Sequence, residues 1–558
     1  MKIIKSEYIN RAHEKKDSLN DNTAGNRRYF NLNIKANKYL IITLLIFVIL
    51  ASAVSVSYAK KPTTYLAPGY QNIASSVEKS ILPIGFLVNE LKTDENKIVE
   101  VKAGFDQRET RFKTAFLSVP LEAEKYNLTD MVSYLKNSEV VADSVKLRHI
   151  ARMKKLDIIN KSGDNEYGQY YKNFVLTPIL VSPFGSGGCA MSHAPSYIGY
   201  NTNLQYFFNS YIKITDGAAK VSDRIKNDTL CLGFAHENAH AIMLDMYLKD
   251  WSKLKSVSTN GHDGPIVSDR QMAYTEGWAE AFEAIYGQMN PLLVKESERE
   301  KYGIAEFQFT RQDPVRRNRY IWQNYKGKKS GILKNGLQIL STEGAVAATF
   351  FDIMTSRKIA DPFTKSVTVM YKYRPADFIE FINCWVKEFS DDKRVLYRIF
   401  LEETRYVTMS NEARKLYYDY YQAGVKFKQG KIDQKTSAIA RDKWLAYKEE
   451  LFKKAMAGTR IDSNVSPDLW LNLKVPAKDG KADIDVNINI SLFEADARII
   501  KRFEAAGITE AELVEFIKAR EAMGVLPYKT ATEALNAAFG AEKTGAFIAK
   551  FKASDINR

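Results

Sequence analysis

The chain has 558 residues, 45% of them hydrophobic and 26% charged, which excludes a disordered or low-complexity protein and is enough for several domains of roughly 150 residues each. The formal net charge is +15, with nine Lys/Arg against four Asp/Glu in residues 1–38 and a diffuse remainder. That remainder is too spread out for a nucleic-acid groove and suits a location facing anionic membrane or envelope polymers.

Residues 1–38 form a basic tail, and residues 39–58 read YLIITLLIFVILASAVSVSY without a charge. About 20 such residues span a bilayer as one helix. The positive-inside rule then places the tail in the cytoplasm and everything after Lys60 outside it. A signal anchor and a signal peptide cleaved near Ala59 are both consistent with this pattern, and both export the remainder.

Residues 60–170 read as an N-terminal α/β region of helices and a few strands. Residues 171–215 are β-rich, and 229–251 and 269–289 have helical periodicity. From Arg311 to about Lys453 the pattern is helical, and the basic stretch from Arg311 to Lys334 reads as a solvated face. KVPAKDGKAD (474–483) reads as a linker before a small helical domain, 484–558. The fold class expected is α+β, mostly helical. Three cysteines, Cys189, Cys231 and Cys384, match neither zinc-knuckle nor disulfide spacing and read as buried thiols.

The chemistry concentrates in two stretches. LCLGFAHENAHAIMLDMYL contains His236-Glu237-Asn238-Ala239-His240. Residues i and i+4 share a helix face, so both imidazoles can hold one metal ion with Glu237 beside them as general base for water. DRQMAYTEGWAEAFEAIYG places Glu276 and Glu280 one turn apart among apolar neighbours, where buried acids need a partner. A hydrolytic zinc site takes three protein ligands, and Glu276 can be the third; Glu280 would then accept a hydrogen bond that orients a ligand imidazole. Thr342-Glu343-Gly344 repeats the T-E-G triplet and makes Glu343 a rival ligand.

H-E-x-x-H followed by T-E-G-W-A-E resembles the gluzincin zinc peptidases, in particular the peptidase MA-like members, over roughly residues 170–290. The resemblance implies a thermolysin-like two-helix site for one Zn2+ beside a small β-sheet, in a catalytic core at 171–300 followed by a helical subdomain at 301–473. It implies an edge strand from 171–208 that binds peptide by strand addition, and hydrolysis of peptide bonds in envelope or extracellular proteins. Many gluzincins place a downstream histidine at the oxyanion. None follows Glu276 here, so Tyr286, Tyr320, Tyr325 or an arginine of RQDPVRRNRY is the candidate donor. His262 reads as a surface residue.

The C-terminal segment resembles bacterial helix-hairpin-helix domains through Val486, Asn487, Ile488, Asn489, Ala495, Asp496, Gly507, Ile508, Arg520 and Gly524. Its hairpin has Thr509 in place of a second glycine, and 481–558 holds eleven Lys/Arg against twelve Asp/Glu. These departures favour contact with an envelope protein or with the catalytic unit over binding to nucleic acid. A metal-binding but inactive scaffold and a DNA-uptake factor are the alternative functions.

Overall fold

The computed structural model describes residues 84–91, 102–103, 112–116, 129–162, 177–182, 190–199, 206–215, 225, 230–256, 264–286, 320–325, 328–475, 484–494 and, apart from 502, 505–506 and 524, residues 500–553. The basic tail, the apolar segment 39–58, the cleavage position near Ala59 and His262 lie outside them. Among the described residues no helix is long and apolar enough to cross a membrane.

The N-terminal part supplies β1 (Ile84–Leu91), β2 (Lys102–Ala103), β3 (Phe112–Phe116), α1 (Thr129–Asn137) and α2 (Glu139–Ser162). The β-rich stretch becomes β4 (Thr177–Ser182), β5 (Ala190–Gly199) and β6 (Tyr206–Thr215). These strands make one six-stranded mixed sheet, in the order β2-β5-β6-β4-β1-β3. Strand β5 runs antiparallel to β6 along its full length, but on its other side it meets only β2, at Ser196 and Tyr197. The edges of this sheet are β2 and β3, so β5 is not the edge strand expected from 171–208; its outer side over Ala190–Pro195 is unpaired among the described strands. Both β5 and β6 lie against the helix that follows, α3 (Leu230–Tyr247).

Helix α3 is buried nearly all round, and apart from the motif and Asp245 its sequence is apolar on every face. It packs on α2 and on α4 (Arg270–Tyr286). The hairpin β7 (Trp322–Tyr325) and β8 (Lys328–Leu333) interrupts the stretch expected to be helical throughout. There follow α5 (Gly336–Leu340), α6 (Glu343–Thr355), α7 (Pro362–Tyr373), α8 (Phe378–Glu388), α9 (Lys393–Glu403), α10 (Asn411–Lys428) and α11 (Gln434–Met456). The side chains of Asn335, Asp361, Asp377, Ser410 and Asp433 cap five of these helices, each a contribution of about 1 kcal/mol.

One hydrophobic core runs from Val140 through α3, α4 and α6 to Ile461, so the expected catalytic core and helical subdomain share a single interior. Beneath α4 it is aromatic. Tyr274, Trp278, Phe350, Phe378, Phe381 and Trp385 pack with ring centroids 4.7–6.5 Å apart. Such pairs add about 0.5–1.5 kcal/mol each beyond area burial.

A second core begins at Leu469, before the expected linker. β9 (Trp470–Val475) and β10 (Ile484–Asn489) pair antiparallel, so the stretch read as a linker joins two strands of one hairpin. α12 (Glu510–Met523), α13 (Ala531–Phe539) and α14 (Ala541–Ala553) complete this unit. Thr509 serves as a helix cap: its hydroxyl accepts from Glu512 N, and the Glu512 carboxylate accepts from Thr509 N. That role accounts for a threonine where the hairpin pattern has glycine.

Candidate metal centre

Helix α3 presents His236 and His240 one turn apart, and α4 brings Glu276 to them. The three ligand atoms form a near-equilateral triangle. His236 Nε2 and His240 Nε2 are 3.2 Å apart, and each is 3.2 Å from Glu276 Oε2. A tetrahedral ion with bonds of ~2.0–2.1 Å spaces its ligand atoms ~3.3 Å apart, so the donor set and its spacing fit a metal such as zinc. No other group of three among the described His, Cys, Asp and Glu residues could hold an ion in this way. The His240 side chain is 4% exposed and that of His236 is 21% exposed, so the group is deeply seated, with His236 the more accessible imidazole.

The electrostatics suit a cation. Burial favours the neutral form of Glu276, but His240 and His236 hold its carboxyl well below the usual range. Burial likewise opposes a charge on His236, yet its hydrogen bonds to Glu276 and Glu283 carry the imidazole well above its ordinary value.

Hydrogen bonds tie α3 to α4 on one side and to α2 on the other. Trp278 Nε1 donates to Ala239 O at 2.9 Å, joining α4 to α3 beside His240. Asn238, inside the motif, donates through Nδ2 to Ser144 O of α2 at 2.8 Å. Further along α3, buried Asp245 accepts from Arg148 Nε at 2.9 Å and Arg152 Nε at 3.0 Å, and Lys155 Nζ donates to its backbone carbonyl at 2.6 Å. Burial would raise the Asp245 pKa, but Arg148 and Arg152 hold it well below the carboxylate range. Between α4 and α6, Gly277 permits close approach: a Cβ there would lie 2.7 Å from Val346 Cγ1 and 3.0 Å from the backbone nitrogen of Ala347.

The imidazole acceptor differs from the expected one. His236 Nδ1 lies 3.2 Å from Glu283 Oε2 and makes no such contact with Glu280. Glu283 is buried and stands seven residues after Glu276, which brings it back to the same face of α4. Its signal in the sequence was the acid stripe 276, 280, 283 on an otherwise apolar helix. Glu280 instead faces the Gly264 turn and Tyr320: a Cβ at Gly264 would lie 3.6 Å from both Glu280 Oε1 and Tyr320 Cε1. Its Oε2 is enclosed and accepts no hydrogen bond among the described residues. Burial and the charge of Glu343 push Glu280 well above the usual carboxylate range.

Glu343 opens α6, buried, and does not join the ligand group. Glu237 is partly exposed on the motif helix. Tyr320 is buried with its ring against Gly344. Tyr286 and Tyr325 end α4 and β7, and their side chains lie outside the described residues, as do the arginines of the RQDPVRRNRY segment.

Two other expectations change. Lys334, read as part of a solvated face, is fully buried. Arg520, the arginine of the helix-hairpin-helix pattern, is buried too and donates to the carbonyls of Ile490 and Phe493, so it does not face a phosphate. Cys384 is a part-buried free thiol; the side chains of Cys189 and Cys231 lie outside the described residues. No known family model, curated protein or solved structure matches the chain.

Proposed function

We propose that this chain is a zinc-dependent peptidase whose metal is held by His236, His240 and Glu276. The observation that carries the reading is the 3.2 Å triangle of two imidazole nitrogens and one carboxylate oxygen, with a glutamate next in sequence to the first histidine. A zinc ion held there supplies Lewis acidity, polarising an amide carbonyl and making water a better nucleophile near neutral pH.

The chain's own residues do the rest. Glu237 takes the proton of the attacking water on its carboxylate and returns it to the departing amine nitrogen. Glu283 keeps a proton on His236 Nδ1, which leaves Nε2 as the lone-pair donor. The outer side of β5 over Ala190–Pro195, unpaired among the described strands and on a strand packed against α3, offers backbone groups to an extended peptide, so the substrate class is peptide or protein in strand conformation. Residues 39–58 tether the chain with the catalytic part outside the cytoplasm, and the unit containing residues 484–558 contacts protein, not nucleic acid.

The test is elemental analysis of the purified full chain, with peptide cleavage assayed in parallel. One zinc per chain is expected. Glu276→Ala should lose it, while Glu237→Gln should keep it and lose cleavage by about 10³-fold or more. Cleavage undiminished in Glu237→Gln would sink the peptidase reading.

A further inference from the structure

The segment that leads into α4, residues 264–269, sets where Glu276 begins its approach to the two histidines, and it is gripped from two directions. From the start of α6, Ser341 O accepts from Ser268 N at 2.8 Å, Gly344 N donates to Gly264 O at 2.9 Å, and Val267 bridges to Thr342. From the C-terminal unit comes Glu494, whose Oε1 accepts from Val267 N at 3.1 Å. Its Oε2 lies 3.8 Å from Lys334 Nζ, which donates to Pro265 O at 2.7 Å and to Thr342 Oγ1 at 3.0 Å.

Both members of this pair are enclosed: Lys334 is 0% exposed and Glu494 2%. Around them, Val267, Leu337 and Leu492 form a small apolar cluster. Gln338 Nε2 donates to Phe493 O at 2.9 Å, and Arg270, the first residue of α4, pairs with Asp468.

A buried ion pair adds little that apolar residues of similar volume could not, while either charge alone is costly. What this pair adds is direction. Its bonds end on a carbonyl, an amide and a hydroxyl that belong to the lead-ins of the two helices around the site. We infer that Glu494 and Lys334 are positioning residues, and that the C-terminal unit is a clamp that holds 264–268 against the start of α6 and so orients Glu276. The consequence at Glu276 rests on the metal-site reading; the clamp itself does not.

The test uses the full chain and two double variants. Lys334→Met with Glu494→Leu removes both charges and the acceptor. Lys334→Met with Glu494→Gln removes the charges and keeps an acceptor for Val267 N. Amide exchange over 264–275 and zinc affinity by chelator competition are read beside the melting temperature. The first variant should exchange this segment about ten-fold or more faster and bind zinc about ten-fold or more weaker, with α10 and α11 unchanged. The second restores only the acceptor for Val267 N, with the Lys334 bonds still absent, and should lie between the first variant and the native chain in both readouts. Native exchange in the first variant, or an equal loss in both, overturns the clamp. If the native chain binds no zinc, the metal-site reading fails, and exchange alone decides the clamp. Should the first variant not fold, Glu494→Asp keeps the charge, withdraws the carboxylate from Val267 by one methylene, and is read by the same exchange.

Discussion

The indole N–H of Trp278 and the carbonyl of Ala239, 2.9 Å apart, bond the helix that carries Glu276 directly to the helix that carries His236 and His240. Trp278→Phe keeps most of the apolar ring and deletes the donor. It should cost about 1–3 kcal/mol of stability. Zinc affinity should fall as well, because α4 is then free to shift along α3. A thermal melt and a chelator competition in the same buffer check this. A destabilised variant with native zinc affinity would separate the bond from the site.

Glu283 and Glu280 should part company. Glu283→Gln weakens the orientation of His236 and should lower metal affinity by about 10–100-fold. Glu280→Gln should leave it within a few-fold. The two acids also differ in pH behaviour. Glu280 is raised by burial and by Glu343, so the fold prefers its protonated form. That preference is fully expressed below the unfolded pKa near ~4.3 and is lost as pH rises through the raised folded value. Glu280→Gln should therefore raise the melting temperature more at pH 8 than at pH 4. An equal effect at both would assign Glu280 a different role.

Gly277 is required for space, not for backbone conformation. A methyl group there meets Val346 and the Ala347 backbone, so Gly277→Ala should destabilise by about 1–3 kcal/mol through overpacking. A companion Val346→Ala substitution should recover part of the loss. Chemical denaturation of the single and double variants measures both effects.

Asp245→Asn leaves buried Arg148 and Arg152 without their counter-charge and should cost about 3–5 kcal/mol. The native carboxyl is depressed, so its stabilisation is present above the unfolded value of ~3.9 and is lost as pH falls through the folded one. Acid unfolding followed by circular dichroism should show a shallower pH dependence below ~4 in the variant than in the native chain. An unchanged slope would mean another carboxylate governs acid unfolding.

The parts of the site that the sequence disclosed are those set by one helix alone. The i, i+4 spacing of His236 and His240, and the acid at Glu276 among alanines, follow from helical geometry. The choice between Glu280 and Glu283 as imidazole partner depends on how α4 is rotated against α3. Trp278, Gly277 and the aromatic layer below fix that rotation, and it has no local signature. The same limit explains the 474–483 stretch. Its lysines, glycine and proline mark a break in regular structure equally well for a linker and for a hairpin loop. Only the pairing of Trp470–Val475 with Ile484–Asn489 decides between them. Lys334 is the converse case: a lysine in a basic run reads as solvated until Glu494, 160 residues later, is brought beside it.

The grip of α2 on Asp245 bears on assembly as well as on strength. Arg148, Arg152 and Lys155 follow one another at four and three residues along a single helical stripe, and all end on one residue of α3. Apolar side chains on two such helices interdigitate almost as well after a slip of one turn, about 5.4 Å. After that slip the cations would sit in the interior with their anion a turn away, an arrangement far costlier than the lost packing. The pairing thus excludes misregistered alignments that hydrophobic contacts alone would tolerate, and with α3 locked in one alignment the two histidines meet Glu276 at a single height.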